Sequence, residues 1–262
     1  MNDRALETVL LRTFADGVAT LSLNRPRQFN ALSAEMLEAL HRALEEIASD
    51  EAVRVVLITG SGSAFCSGHD LKEIRALRER APVEALFASC SAVMQRLVAL
   101  PQPVIAVVNG LAAAAGCQLV AQCDLAVASE HSRFAVSGIN LGLFCSTPAV
   151  ALSRNLGRKR AAEMLFTGEF IDAAVALEWG LVNRVAPADR LMESAHELAN
   201  NLKAKPREAL AAGKALFYRQ LEAPLAAAYA DASRVISANM DTEFAREGVD
   251  AFFAKRPPRW TP

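Results

Sequence analysis

Polar and apolar residues alternate from Glu7 to Phe14 and again from Val18 to Asn24, with Ala15-Asp16-Gly17 between the two runs. Alternation on both sides of an Asp-Gly pair predicts a β-hairpin, because these residues tolerate the positive φ of a tight turn. The period then changes. Leu37, Leu40, Leu44 and Ile47 recur at helical spacing within Leu32 to Ser49, which predicts an amphipathic helix with Ser33 as its N-cap. Val53 to Gly60 follows as a largely apolar run of strand length, the mark of a buried strand.

The same alternation of elements recurs: a helix over Ala85 to Leu100, a strand over Val104 to Val108 ending at Asn109-Gly110, a helix through Ala114 to Cys123, and a strand over Asp124 to Ala128. The first two-thirds therefore reads as an α/β chain of stacked ββα turns. From Pro148 onward the sequence turns alanine-rich and helical, with a single short strand candidate at Leu181 to Val185. The division this predicts is a core over residues 1–200 and a helical C-terminal region over 201–262. Two loops, Gly60 to Gly68 and Asn109 to Ala113, leave equivalent strands and each enters a helix. Ligands collect at such strand ends, where helix N-termini offer free N–H groups.

Composition narrows the function. With 262 residues, 52% of them hydrophobic, a large core is available, and a formal net charge of −1 gives no global field for nucleic acid or an anionic membrane. A small ligand held by local groups is expected. Five cysteines, Cys66, Cys90, Cys117, Cys123 and Cys145, show no paired metal-type spacing, and they read as reduced residues of a cytoplasmic type of compartment. The start of the chain carries early acidic residues, a short apolar run and no Arg/Ser-rich pattern, so neither a targeting nor a transmembrane segment is expected.

The stretch Phe65-Cys66-Ser67-Gly68-His69-Asp70-Leu71-Lys72-Glu73 offers several reactive groups, and each suits a different chemistry. A dinucleotide fingerprint beginning at Gly60-Ser61-Gly62 would place its third glycine at Phe65, which removes the close approach it needs. No G-x-S-x-G elbow exists for a serine hydrolase. Cys66 and His69 are near in sequence, yet a cysteine in this setting is more simply a small packing residue. His41, His69, His131 and His196 lack metal-ligand spacing. Backbone chemistry remains. If the N–H after Gly68 and an N–H at the start of the Ala112-Ala113-Ala114-Ala115-Gly116 segment converge, they form a two-donor hole for a carbonyl oxygen.

Several segments together resemble the crotonase (enoyl-CoA hydratase/isomerase) superfamily: Asn24 to Leu32, Phe65 to Glu73, Pro103 to Gly110, Gly116-Cys117-Gln118-Leu119, Cys123-Asp124, Leu165 to Glu169, and Glu247 to Phe252. The resemblance implies a spiral of ββα repeats with a helical C-terminal trimerisation region. It also implies trimers or dimers of trimers, and an acyl-CoA thioester as substrate or ligand with no further cofactor. By position in the motif, His69 and Ala115 match the residues whose amides hold the thioester oxygen, so the His69 imidazole is not the expected catalytic part. The stretch Cys66, Ser67, Gly68, His69, Asp70, Leu71 and Lys72 resembles the one that runs along the CoA adenine and pantetheine, with Gly116 nearby in the second motif. Arg25 or Arg27 is the expected phosphate contact, and Lys255 with Arg256 matches an element that reaches the CoA phosphates of a neighbouring subunit.

The chain departs from the hydratase pattern at both acid–base positions. The first glutamate is replaced by Gln118, and the second position falls on Gly138. Hydration needs a base for water and an acid for the α-carbon, each worth roughly 10² to 10⁴-fold, so ordinary crotonyl-type hydration is expected to be very weak. No carboxylate occurs between Phe134 and Arg154. The polar candidates there are Ser137, Asn140, Cys145, Ser146 and Thr147, while Gln118 can place substrate or water. The Phe144-Cys145-Ser146-Thr147-Pro148 element resembles the subgroup called enoyl-CoA hydratase domain-containing protein 3. Alanines in place of the usual glycines before Gly116 are expected to keep the donor by favouring helix, by about 0.5 to 1 kcal/mol, and to tighten the pocket mouth. Two functions follow: an acyl-CoA enzyme working through an enolate, for instance of a substrate that loses CO₂, or a non-catalytic acyl-CoA binder or scaffold.

Overall fold

The computed structural model describes residues 8–260. Strands β1 (Leu10–Ala15) and β2 (Val18–Leu23) form the expected hairpin, with Leu10 opposite Leu23. Asp16 and Gly17 turn it with φ of 48° and 73°, the positive pair a tight turn demands. Glu7, the expected start of the first strand, lies outside the described residues. Helix α1 (Ala34–Ser49) is capped by the Ser33 hydroxyl, which accepts from the Met36 amide at 3.2 Å. Its Met36, Leu37, Leu40, Leu44 and Ile47 are all buried.

Three ββα units then follow. The first is β3 (Val55–Gly60), β4 (Ala64–Cys66), α2 (Leu71–Ala76) and α3 (Arg80–Ala99). The second is β5 (Val104–Val108), β6 (Leu111–Ala113) and α4 (Ala115–Gln122). The third is β7 (Leu125–Ser129), β8 (Arg133–Ala135), α5 (Ser146–Asn155) and α6 (Arg158–Thr167). After them come β9 (Ile171–Asp172), α7 (Ala173–Trp179) and β10 (Arg184–Ala186). Each unit sends its first strand into a six-stranded sheet of order β1-β2-β3-β5-β7-β10. Its second strand goes into a four-stranded sheet of order β4-β6-β8-β9. Successive units pair parallel, β3 with β5, β5 with β7, β4 with β6 and β6 with β8, and this repetition makes the spiral.

The segments Ala64–Cys66 and Leu111–Ala113, read from the sequence as loop, are thus strands. Three residues are too few to display a period, and their partners are equally short strands of the neighbouring unit. The strand expected at Leu181 to Val185 begins later, at Arg184, because Leu181 and Val182 are buried in the core instead.

The core is double. One cluster lies between the two sheets and the helices of the repeats, and a second is closed by Leu191, Ala195 and Ala199 of α8 (Leu191–Lys203) packing on Val55, Leu57, Ile105 and Val107. The remaining chain is α9 (Arg207–Leu221), α10 (Leu225–Met240) and α11 (Glu243–Phe253). A polar knot ties α9 to the spiral. Asp124 takes hydrogen bonds from the Val104 amide at 2.7 Å, Lys214 Nζ at 2.6 Å and the Tyr218 hydroxyl at 2.8 Å, and Lys214 also donates to the Leu97 and Gln102 carbonyls.

Candidate active site

The two loops singled out in the sequence meet at one place, through glycines that have no room for a side chain. A Cβ on Gly116 would lie 2.1 Å from the Cys66 carbonyl oxygen, and one on Gly68 would lie 2.9 Å from the Ala114 Cβ and 3.1 Å from the Ala115 nitrogen. Gly68 also takes φ of +94°, a torsion that costs little only in glycine. Beyond it the Gly68 carbonyl accepts from Leu32 N and Asp70 N donates to the Leu32 carbonyl. The intervening His69 amide is left without an acceptor among the described residues. The Ala115 amide opens α4 and likewise has none. Two free donors on adjacent segments can donate to one carbonyl oxygen or to the anion derived from it.

Ala114 makes this turn at φ 48° and ψ −117°. The expectation that alanine here simply favours helix is corrected: residue 114 precedes the helix in a conformation suited to glycine, at a cost of about 1–3 kcal/mol.

Beside the two amides opens a cavity of about 390 Å³. It is lined by Ser67, His69, Ala114 and Ala115 of the two loops, by Leu71, Ile74 and Phe87 of α2 and α3, and by Ser137, Gly138 and the stretch from Leu141 to Pro148 without Gly142. Among the described residues, no carboxylate and no Lys or Arg lines it. The His69 ring meets Phe87 edge to face, with centroids 4.7 Å apart. Both ring nitrogens are buried without a hydrogen-bond partner among the described residues. Burial holds its pKa below the ordinary 6.5, which favours the neutral ring.

The predicted residues divide. Ser67, Gly68, His69, Leu71, Ala115, Gly116, Gly138 and Cys145 gather at the cavity or directly beneath it. Cys66 is wholly buried in β4, where its sulfur accepts from the Gly68 amide at 3.4 Å and burial pushes the thiol up to about 12. That excludes a ready thiolate nucleophile. Asp70 caps α2 by accepting from the Lys72 and Glu73 amides. Its other oxygen takes Arg25 at 3.0 Å, and Arg25 also donates to the Ala31 carbonyl, so this cation is engaged inside the fold. Arg27 and Lys72 are exposed and make no ion pair among the described residues. Lys255 is exposed beyond α11, away from the cavity lining, and Arg256 is held by both carboxylate oxygens of Glu247.

Gln118 is 3% exposed, its carbonyl oxygen lacks a partner, and it does not line the cavity. Asn140 donates to the Gly168 carbonyl at 3.3 Å and is likewise off the wall. At Gly138 a Cβ would fall 2.7 Å from Cys145 Sγ and 2.9 Å from the Leu143 carbonyl oxygen, so the thiol occupies the space in which a side chain at 138 would begin. The residues sequence reasoning missed are the apolar ones, Ile74, Phe87, Leu141, Leu143 and Phe144. The one signal was the apolar pair Leu143-Phe144, which lies between a short 3-10 helix ending at Leu141 and α5. No group of three or more metal-ligating side chains occurs among the described residues, and no described helix is long and apolar enough to cross a membrane.

Comparison with known proteins agrees with this architecture. The family model described as enoyl-CoA hydratase/isomerase matches residues 13–262. Enoyl-CoA hydratase domain-containing protein 3, mitochondrial, of Rattus norvegicus is 47% identical over 94% of this chain and 82% of its own length. "Mitochondrial" is said of that relative, and it does not match the cytoplasmic expectation made here. Among solved structures, enoyl-CoA hydratase of Mycobacterium smegmatis superposes with a TM-score of 0.95 at 56% identity, covering 97% of this chain and 99% of the other. Human enoyl Coenzyme A hydratase domain-containing protein 3 superposes with a TM-score of 0.92 at 44% identity, covering 96% and 100%. The spiral of ββα repeats, the paired loops and these likenesses place the chain in the enoyl-CoA hydratase/isomerase family, the crotonase superfamily.

Proposed function

We propose that the protein binds an acyl-CoA thioester and stabilises its enolate with the amides of His69 and Ala115, while catalysing ordinary enoyl-CoA hydration only weakly. The observation that carries this reading is a pair of amides that, among the described residues, have no acceptor and lie at the edge of a cavity lined by no carboxylate. An anion formed on the thioester oxygen is stabilised by donors already in place, an effect worth roughly 10² to 10³-fold per donor. Water addition also needs groups that take and give a proton. Gln118 cannot change charge and Gly138 has no side chain, so neither position supplies a proton-transfer group, and this is why ordinary hydration is weak. The CoA moiety would lie along Ser67 to Lys72, with Arg27 and Lys72 as exposed cations for its phosphates. No cofactor beyond the thioester is required.

A second reading, a non-catalytic acyl-CoA binder or scaffold, is favoured by the occluded His69 nitrogens, because the titratable ring beside the amides offers no accessible base. In either reading the chain works as a homo-oligomer, a trimer or a dimer of trimers. Phe217, Leu225, Tyr229, Ile236, Phe252 and Phe253 of its last helices are exposed in the single chain, and large apolar faces of this kind mark subunit contacts. Five free cysteines, four of them buried, suit a reducing compartment such as the cytoplasm.

The test is to incubate the purified protein with enoyl-, malonyl- and methylmalonyl-type CoA esters, following products by mass spectrometry and binding by calorimetry. Conversion of an ester, lost in an Ala115→Pro variant that keeps the parent's melting profile, establishes the enzyme, since proline lacks the donor. Binding without conversion over hours establishes the binder. Absence of binding refutes both.

A further inference from the structure

The cavity wall carries information about the acyl group itself. Leu141, Leu143 and Phe144 line the cavity and at the same time stand 62%, 57% and 47% exposed. Large apolar side chains that face a cavity on one side and solvent on the other form its mouth, and an exposed apolar patch continuous with a pocket marks a ligand groove. Phe144 also meets Phe166 of α6, with ring centroids 6.1 Å apart, and Phe166 is itself exposed. The lip therefore extends outward from the cavity as an apolar track.

The rest of the wall points the same way. With Gly138 in place of a side chain, and Cys145 filling the space beside it, nothing charged separates the His69 and Ala115 amides from this lip. Among the described residues no Lys or Arg lines the cavity to pair with a second carboxylate on the acyl group, and leaving such a charge unpaired there is costly. Space is ample. An apolar cavity of about 150 Å³ takes up benzene, so 390 Å³ holds on the order of fifteen non-hydrogen atoms.

Resting on the acyl-CoA reading above, we infer that this site selects an uncharged, apolar acyl chain of roughly eight carbons or more, whose tail leaves the cavity across Leu141, Leu143, Phe144 and Phe166. Short acyl groups would leave the lip empty, and dicarboxylic ones would strand a charge against it.

Calorimetric dissociation constants of the full chain for butyryl-, hexanoyl-, octanoyl-, decanoyl- and malonyl-CoA test the inference. Each added methylene is expected to tighten binding about threefold to fourfold from four to eight carbons, the transfer value for a buried CH₂. Malonyl-CoA is expected to bind more weakly than butyryl-CoA. In Leu143→Asp and in Phe144→Ser, each checked for an unchanged melting profile, the gain per methylene is expected to fall or vanish. Equal affinity for butyryl- and octanoyl-CoA, or tighter binding of malonyl-CoA, overturns the chain-length inference and leaves the acyl-CoA reading standing. Failure of every ester to bind overturns both.

Discussion

At the scale of single residues, the site is built from backbone placed at some cost. Ala114 holds a positive φ with ψ of −117° so that the Ala115 amide opens toward the cavity. Ala114→Gly removes that strain and should stabilise the protein by about 1 kcal/mol in urea denaturation, with ligand binding kept; a loss of stability would contradict the strain. His69 imposes a different cost. Its folded pKa lies below the ordinary 6.5 because burial disfavours the charged ring, so the unfolded chain binds the extra proton first as pH falls. Stability is therefore highest above pH 6.5 and declines below it, through the window between the unfolded and folded values. In His69→Phe that part of the acid loss should disappear from the pH profile of the melting temperature. Neither feature was legible in the sequence, where Ala114 reads as one of four identical alanines and His69 as one more reactive group in a row.

At the scale of elements, legibility followed length. The hairpin, α1 and the long strands β3 and β5 announce themselves by alternation, by Leu37-Leu40-Leu44-Ile47 and by continuous apolar runs, because each buries a face long enough to show its period. The small sheet does not, since β4, β6 and β8 are three residues each and owe their existence to one another. The site inherits this division. Its backbone donors were found because they sit at the motif glycines Gly68 and Gly116, whereas Ile74 and Phe87 on α2 and α3 reach the cavity only through packing. Asp124 shows the same limit: it reads as the start of a strand, yet its carboxylate anchors α9 through Lys214 and Tyr218. Lys214→Met leaves that buried carboxylate without its cation and should cost about 3 kcal/mol. Adding Asp124→Leu to it should restore part of the loss in thermal denaturation, whereas an additive further loss would contradict a buried pair.

At the scale of the molecule, the repeat brings two equivalent strand ends together and so sets two acceptor-free amides beside one cavity. Side chains then decide what the site does. Gly138 cannot regain a carboxylate by simple replacement, because Cys145 Sγ and the Leu143 carbonyl already stand within 3 Å of where its Cβ would be, at 2.7 and 2.9 Å. Gly138→Glu should accordingly destabilise by about 1–3 kcal/mol through overpacking and not gain hydration. The most direct measurement is the rate of crotonyl-CoA hydration by the unaltered protein, with calorimetric binding of octanoyl-CoA in the same buffer. Octanoyl-CoA binding together with hydration at least 10²-fold below that of a family hydratase carrying both glutamates is the predicted result. Hydration at that enzyme's rate would contradict the account.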